Sequence, residues 1–179
     1  MADFDQTLLR AQAGDQRAIG VLYRELNPLL HRFFVARARN AADDLTQDTW
    51  LSVSESLAGF EGDERGFRSW FFTIAYRRLA DHHRRISRLH ETSAEHDVLV
   101  AMAPGVEQVD RASTEEALHD LVDGLSTDQA DIVLLRVVVG LDVDQVAEIV
   151  GKRPGAVRVA QHRALRQIAS RVVPLEAAG

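Results

Sequence analysis

Arginines are concentrated in one stretch of the chain, Glu64 to His90, where seven of them face only two acids, Glu64 and Asp81. Like charges on one helical face repel and cost stability unless an anion offsets them. Phosphate is the natural anion, and aromatic rings at the start of the stretch can stack on unpaired bases. A solvated face is the usual explanation of a charge run, but it does not account for charge of one sign. The stretch therefore predicts nucleic-acid binding.

A second group of residues, just upstream, has the chemistry of a protein-binding stripe. Acids in a first helical turn commonly complement the helix macrodipole, which is our interpretation of Asp43. Four further residues recur at i, i+3, i+4 and i+7 and share one helical face: Asp44, Gln47, Asp48 and Leu51. Gln47 and Leu51 gain nothing from the dipole, so this stripe is interpreted as a binding surface.

Two helices joined by a loop must position these groups. The first is predicted to begin at an Asn40 N-cap with Asp43 at the capping-box position. Its inward residues, at helical spacing, are Leu45, Thr49, Val53 and Leu57. The loop runs from Gly59 to Gly66, with Gly62 and Gly66 allowing tight turns and Phe60 as its apolar anchor.

The second helix carries the arginines. Its predicted buried face consists of Phe67, Phe71, Ile74, Leu79, Ile86 and Leu89. Another face, at steps of seven, seven and four residues, consists of Trp70, Arg77, Arg84 and Arg88, with Arg78 and Arg85 beside it. This face is the one expected to meet nucleic acid.

The C-terminal third predicts a helix-turn-helix unit. After a helix over Thr114 to Leu125, capping boxes recur at Ser126/Gln129 and Asp142/Gln145. Gly151 makes a turn and Pro154 opens a last helix to about Val172. In that helix Val157, Ala160, Ala164 and Ile168 point inward. The outward residues are Arg158, His162 and Arg166, flanked by Gln161 and Arg163; Arg and Gln are types that read base edges in the major groove.

The remaining segments supply scaffold and a tether. Asp3 to Ala13 predicts a helix with Leu8 and Leu9 inward, and Asp15 to Leu26 a second one that includes Tyr23 among its apolar residues. We expect a break at Asn27-Pro28, with Pro28 in the first turn of a new helix that continues through Ala38. Between Glu91 and Ser113 the periodicity fades around Pro104-Gly105, which indicates a linker.

Composition bounds these interpretations. The 179 residues suffice for one or two small domains, and 46% of them are hydrophobic. The net charge is −6, yet the stretch from Lys152 to Arg171 holds six basic residues and no acid, so nucleic-acid surfaces are local. With no cysteine there is no disulfide or thiol redox switch, which suits a reducing cytoplasm. No signal peptide or membrane-spanning run is evident, so no membrane insertion is expected.

Here the chain resembles a known family. The stretches DDLTQDTWLSV and FRSWFFTIAYRRLADHHRR are similar to the second conserved region of bacterial sigma factors of the extracytoplasmic-function (ECF) type, group IV of the sigma-70 family. The helix-turn-helix stretch is similar to the fourth region. The resemblance implies an all-α fold of two small helical domains, a region 2 bundle at 1–90 and a region 4 unit at 114–175, joined by a flexible linker at 91–113.

The resemblance also implies partners and roles. Core RNA polymerase, through its beta-prime and beta subunits, would bind the stripe of Asp44, Gln47, Asp48 and Leu51. Promoter DNA is the second partner and an anti-sigma factor the third; no cofactor, metal or catalytic residue is implied. The residues expected at the minus-ten element, whose flipped base the loop would capture, are Phe60, Arg65, Arg68, Trp70, Arg77, Arg78, Arg84, Arg85 and Arg88.

At the minus-thirty-five element the resemblance adds three residues to those already named. Arg136 would contact the DNA backbone. The family usually has a small polar residue before the last helix and a Ser-Arg pair inside it, where this chain has Arg153 and Val159-Ala160. This departure bears on base preference and not on the docking mode. The full set is Arg136, Arg153, Arg158, Val159, Gln161, His162, Arg163 and Arg166.

Two other classes of protein share parts of this pattern. A di-iron helical enzyme needs two Glu-x-x-His motifs and two more Glu, but only Glu116 and His119 have that spacing, and the adjacent His82 and His83 point apart on a helix. The main alternative is a helix-turn-helix transcriptional regulator with an N-terminal helical effector or dimerisation domain. It explains Ser126 to Val172 but neither the arginine-rich helix nor the acidic stripe.

Overall fold

The computed structural model describes residues 4–92 and 116–172, and all regular elements in these two ranges are helical. A π-helical turn, Leu134–Val138, extends α6, and 3₁₀ turns lie at Arg39–Ala41 and Leu57–Gly59. The predicted all-α fold with two helical domains is confirmed. In chain order the helices are α1 (Phe4–Gln12), α2 (Gln16–Ala38), α3 (Ala42–Ser56), α4 (Glu64–Thr92), α5 (116–122), α6 (Thr127–Val133), α7 (Val143–Val150) and α8 (Pro154–Val172).

The first domain is a bundle in which α2 packs against α1, α3 and α4. The inward face predicted for α3 is confirmed, since Leu45, Thr49, Val53 and Leu57 are buried. Leu9 was predicted to point inward but is exposed, and Tyr23 exposes 46% of its surface. The large, fully buried side chains at the centre of the bundle are Leu26, Leu30, Phe33, Phe34, Phe67, Phe71, Phe72 and Leu79.

The predicted break at Asn27-Pro28 is wrong, because α2 runs unbroken from Gln16 to Ala38 with Pro28 inside it. A proline in a helix interior loses one backbone hydrogen bond and crowds the preceding turn. Here Leu26 and Leu30, on either side of Pro28, are both fully buried, so core packing outweighs that local cost. Asn27 has a tertiary partner instead, since its Oδ1 accepts a 3.0 Å hydrogen bond from Trp50 Nε1.

The start of α3 also differs from the prediction. Asn40 lies within a 3₁₀ turn, and the N-cap of α3 is Ala41, which makes no side-chain capping bond. The predicted capping box is therefore absent. Asp43 still lies in the first turn, and its Oδ1 is 3.0 Å from His31 Nε2 on α2. The structure thus places an exposed contact with α2 at this helix start, where a local cap was expected.

The connection between α3 and α4 is shorter than predicted. The second helix begins at Glu64, and Asp63 serves as its N-cap by accepting a 2.7 Å hydrogen bond from the backbone N–H of Gly66. Gly62 has φ of +153°, and a Cβ there would lie 2.9 Å from Phe60 Cζ. This glycine is therefore required both by its backbone conformation and by the close approach of the Phe60 ring.

The far end of α4 extends beyond the bundle. Phe67, Phe71 and Leu79 are buried as predicted, but Ile86 and Leu89 are 38% and 60% exposed. Helical spacing places these two residues on the core side, yet no described helix reaches that far along α4 to cover them. Periodicity locates the face of a helix and not the point at which its packing partner ends.

The second domain contains the predicted helix-turn-helix. Both capping boxes, Ser126/Gln129 and Asp142/Gln145, are present with reciprocal hydrogen bonds. Gly151 ends α7 in the left-handed conformation with φ of +66°, as the sequence indicated. On α8, Val157 and Ala164 are completely buried against the rest of the domain, which leaves the other side of that helix free. The predicted linker lies largely outside the described residues; α4 itself continues to Thr92.

Candidate nucleic-acid and protein interfaces

The acidic stripe on α3 is presented to solvent. Asp44, Gln47 and Asp48 are exposed, and Leu51 exposes 55% of its surface although it is apolar. An exposed leucine among two carboxylates and an amide suits a protein partner, because it combines apolar area with charge-assisted hydrogen bonds. Their role as polymerase contacts remains a prediction.

The loop and the start of α4 form a cluster of aromatic rings. Phe60 lies 5.0 Å from Trp70 and 5.2 Å from Phe67, measured between ring centroids. Gln12 of α1, which the sequence did not single out, fixes this loop by donating hydrogen bonds of 3.0 and 2.7 Å to the carbonyls of Leu57 and Phe60. Phe60 and Trp70 are both half-buried, so each packs one side on the core and leaves another available.

Five other arginines of the predicted minus-ten set lie further along α4, toward its C-terminal end. Arg77, Arg84 and Arg88 are exposed and share the helical face of Trp70. Arg84 pairs with Asp81 on its own helix. The two arginines predicted beside this face are also exposed, and Arg78 donates to Ser52 Oγ on α3. The structure thus keeps one basic surface together: Arg77, Arg78, Arg84, Arg85 and Arg88.

Arg65 and Arg68, by contrast, point toward the second domain. At 100° per residue they lie roughly 140–160° around α4 from Trp70. Arg65 forms an ion pair with Asp142, with Nε 2.7 Å from Oδ2, and Arg68 donates a 2.8 Å hydrogen bond to the Val139 carbonyl. The predicted minus-ten set is therefore divided between two sides of one helix.

On α8 the predicted minus-thirty-five residues surround one groove of about 540 Å³. Arg136 is held in place because its Nε donates a 3.1 Å hydrogen bond to Gln161 Oε1 and its Nη1 donates to the Leu141 carbonyl. This pairing means that two residues expected to contact DNA also contact each other. The groove is lined by Arg136, Arg158, Gln161, His162 and Arg166 together with Val143, Leu165 and Ala169.

The other predicted residues of this set stand outside the groove. Arg153, just before α8, and Arg163 are exposed. Val159 exposes 50% of its surface, which is high for a valine, and lies on the outward side of α8 between Arg158 and Arg163. The outward side therefore combines positive charge, hydrogen-bonding groups and one apolar side chain, the combination that reads a major groove.

A buried ion pair between the domains was not found from the sequence. Arg37 Nε donates a 2.6 Å hydrogen bond to Asp131 Oδ1, and the side chains are only 15% and 4% exposed. Burial raises the pKa of the Asp131 carboxyl, which Arg37 offsets only in part. Burial, with a contribution from Asp131, also raises the pKa of Tyr76. No sequence signal marks this pair, since the partners are far apart along the chain.

A smaller electrostatic effect acts at the start of α7. Hydrogen bonds from the Gln145 backbone N–H and the Arg65 guanidinium hold the pKa of Asp142 below its ordinary value. Within the described ranges, no cluster of three or more His, Cys, Asp or Glu could hold a metal ion. None of the helices placed in those ranges is long and apolar enough to cross a membrane.

Comparison with known proteins matches both domains. Residues 22–89 match sigma-70 region 2, and residues 115–168 match sigma-70 region 4. The ECF RNA polymerase sigma factor SigD of Mycobacterium tuberculosis is 32% identical over 177 residues, covering 94% of this chain and 84% of that protein. The sigma factor BldN of Streptomyces coelicolor is 34% identical over 172 residues, covering 94% and 65%.

Solved structures show the same fold at lower identity. The sigma factor RpoE of Bartonella quintana, in complex with the anti-sigma factor NepR, superposes with a TM-score of 0.69 at 22% identity, covering 87% of this chain and 98% of that one. CnrH, in complex with the cytosolic domain of CnrY, gives 0.66 at 20% identity, covering 97% of each chain. Sequence relatives and family matches together establish that the chain belongs to the ECF sigma factors of the sigma-70 family, which direct promoter-specific transcription initiation by RNA polymerase.

Proposed function

We propose that this ECF sigma factor divides its work among three surfaces. The α3 stripe binds core RNA polymerase through its beta-prime and beta subunits. The loop at Phe60 and the basic side of α4 bind and open the minus-ten element. The outward side of α8 reads the minus-thirty-five element. The chain contributes no catalytic group of its own, and it works in the cytoplasm, where the polymerase transcribes.

The observation that carries this assignment is the arrangement of two opposite surfaces on one bundle. The helices α3 and α4 pack directly against each other, yet α3 exposes carboxylates and a leucine while α4 exposes arginines beside a half-buried tryptophan. A surface of each sign on a single rigid body allows a protein and a DNA strand to be held side by side. Phosphate neutralisation by the arginines supplies affinity, and Trp70 and Phe60 supply stacking for bases that leave the duplex.

An anti-sigma factor completes the proposed set of partners. RpoE and CnrH, whose folds this chain shares, are each seen in a complex: RpoE with the anti-sigma factor NepR, and CnrH with the cytosolic domain of CnrY. An anti-sigma factor that covered the α3 stripe would compete with polymerase for it. When a tagged copy of this protein is purified from its own cells, the anti-sigma factor should co-purify with it. Mass spectrometry of the purified sample then identifies that factor.

The central experiment is transcription with purified core polymerase. Core enzyme plus this protein should produce RNA with defined 5′ ends, and sequencing those ends maps the minus-ten and minus-thirty-five elements. A helix-turn-helix regulator would instead bind its duplex site without polymerase. Tight, sequence-specific duplex binding by the free protein, with no RNA from the reconstituted mixture, would overturn the proposal.

A further inference from the structure

Polar contacts cross from the first domain to the second at the start of α4. Asp142 pairs with the Arg65 guanidinium, and Gln145 Nε2 donates a 2.8 Å hydrogen bond to the Arg65 carbonyl. Arg68 donates to the Val139 carbonyl at 2.8 Å. Both arginines belong to the set expected to bind the minus-ten element, so their side chains are already engaged within the chain.

The same contact region is tightly packed. Helix α4 packs against α7, and α2 packs against the turn at Leu134–Val138. Val139, Leu141 and Gln145 are almost completely buried, and the buried apolar residues of both domains form one continuous cluster. The Arg37–Asp131 pair is buried with these residues, whereas the Arg65–Asp142 pair is exposed, so the interface has a buried centre and a polar edge, which is the anatomy of a specific interface.

The chemistry presented to the arginines resembles that of a nucleic-acid backbone. A carboxylate and a carbonyl oxygen accept the hydrogen bonds that phosphate oxygens would otherwise accept. Asp144 and Glu148 line the cleft beside Arg65 and Gly66, so further negative charge lies close to where the start of α4 would meet DNA. Phosphates approaching Arg65 would be repelled by these carboxylates.

We propose that in the free protein the second domain, through residues 131–145, covers the side of α4 that carries Arg65 and Arg68. Arg65 and Arg68 then exchange Asp142 and Val139 for DNA only when the domains separate. The closed form thus limits binding of minus-ten DNA by sigma factor that is not yet on a promoter. This inference rests on the proposed function, together with the sequence prediction that Arg65 and Arg68 also contact minus-ten DNA.

A charge reversal at Arg37 provides the test. Arg37→Glu places a carboxylate against Asp131 and should open the interface, and Arg37 is not among the predicted DNA contacts. Arg37→Glu with Asp131→Arg restores an opposite pair and should close it again. Arg17→Glu, an exposed position in the first turn of α2, makes the same charge change away from the interface and serves as the matched control.

Two readouts report separate steps, both on the full-length chain. The chain has no cysteine, so Glu55→Cys and Ala169→Cys, both at exposed positions, take spin labels that report the distance between domains. Fluorescence anisotropy measures binding to single-stranded DNA carrying the mapped minus-ten sequence. If the open form is about a tenth of the free wild-type protein, full opening tightens the apparent affinity about tenfold.

The expected result is a longer label distance and tighter DNA binding for Arg37→Glu, with both reversed in the charge-swapped protein and neither changed in Arg17→Glu. An unchanged distance in Arg37→Glu would overturn the closed interface. A longer distance with unchanged DNA affinity would overturn the occlusion while leaving the proposed function intact, provided polymerase still initiates with these variants. If polymerase with the wild-type protein does not initiate transcription, the proposed function is refuted. The label distance would still show whether the two domains pack together in the free protein.

Discussion

Arg37 and Asp131 form a buried ion pair between two domains that lie far apart along the chain, with 2.6 Å between Arg37 Nε and Asp131 Oδ1. His83 of α4 lies beside it, with Nε2 3.3 Å from the Arg37 carbonyl oxygen. Removing one partner of a buried pair leaves an uncompensated charge and costs about 3–5 kcal/mol in general. The pair therefore makes the relative placement of the two domains sensitive to a single side chain.

The first prediction concerns pH. Burial raises the pKa of Asp131 above 3.8 in the closed form; Arg37 and His83 oppose this rise, and Asp128 adds to it. When the domains separate, the carboxyl regains water and its pKa falls back toward 3.8. Above 3.8 the closed form therefore binds more protons than the open form, so acidification from neutral pH should favour closure and a rise in pH should weaken it.

The spin-label distance measured across that pH range checks this. Asp131→Asn cannot titrate and should lose this component of the pH dependence, whereas His83→Gln should keep it. Wild-type pH dependence in Asp131→Asn would assign the effect to another group and refute the prediction.

The second prediction concerns the α3 stripe. Asp44→Arg with Gln47→Ala should weaken binding to core polymerase by on the order of 2–5 kcal/mol, because charge-assisted contacts are lost and one is reversed. The matched control is Asp5→Arg with Gln6→Ala, the same chemical change at exposed positions of α1. Pull-down with core enzyme and circular dichroism measure binding and folding. Equal binding by the folded stripe variant and the control would remove the stripe from the interface.

The third prediction concerns Trp70. Its ring packs on Phe60 and Phe67, so replacement by leucine preserves apolar contact but removes the stacking surface. Trp70→Leu holoenzyme should bind closed promoter normally and open it poorly, since stacking on an exposed base is worth about 1–3 kcal/mol. Trp70→Phe should retain opening. Permanganate reactivity of the minus-ten thymines is the measurement, and full reactivity with Trp70→Leu would make Trp70 a core residue only.

The fourth prediction concerns Val159, an exposed apolar side chain on a helix expected in the major groove. A valine there would favour a thymine methyl group. Replacing one thymine of the minus-thirty-five element by uracil removes that methyl and should weaken wild-type holoenzyme about fourfold, the value of one buried methylene. Val159→Ala should be insensitive to the same replacement, and Leu165→Ala, exposed on the same helix, should remain sensitive. If uracil weakens Val159→Ala holoenzyme as much as it weakens wild type at every thymine of the element, Val159 does not contact a thymine methyl group.

Local patterns were predictable because they depend on neighbours within one helical turn. Both capping boxes of the second domain, the left-handed turn at Gly151 and the buried face of α3 follow from residue types three or four positions apart. The two-region family resemblance, confirmed by comparison with known proteins, also depends on contiguous stretches. For the same reason the exposed positions of Asp44, Gln47, Asp48 and Leu51 could be located from spacing alone.

Tertiary structure decided what depends on residues distant in the chain. Pro28 remains inside α2 because buried leucines on both sides outweigh a local cost. Ile86 and Leu89 are exposed because no described partner extends along the end of α4. Arg65 and Arg68, chemically like the other arginines of α4, point toward the second domain because α7 packs there and the segment just before α7 supplies the oxygens of Val139 and Asp142. Charge and periodicity identify what a side chain can bind, whereas packing determines which partner is within reach.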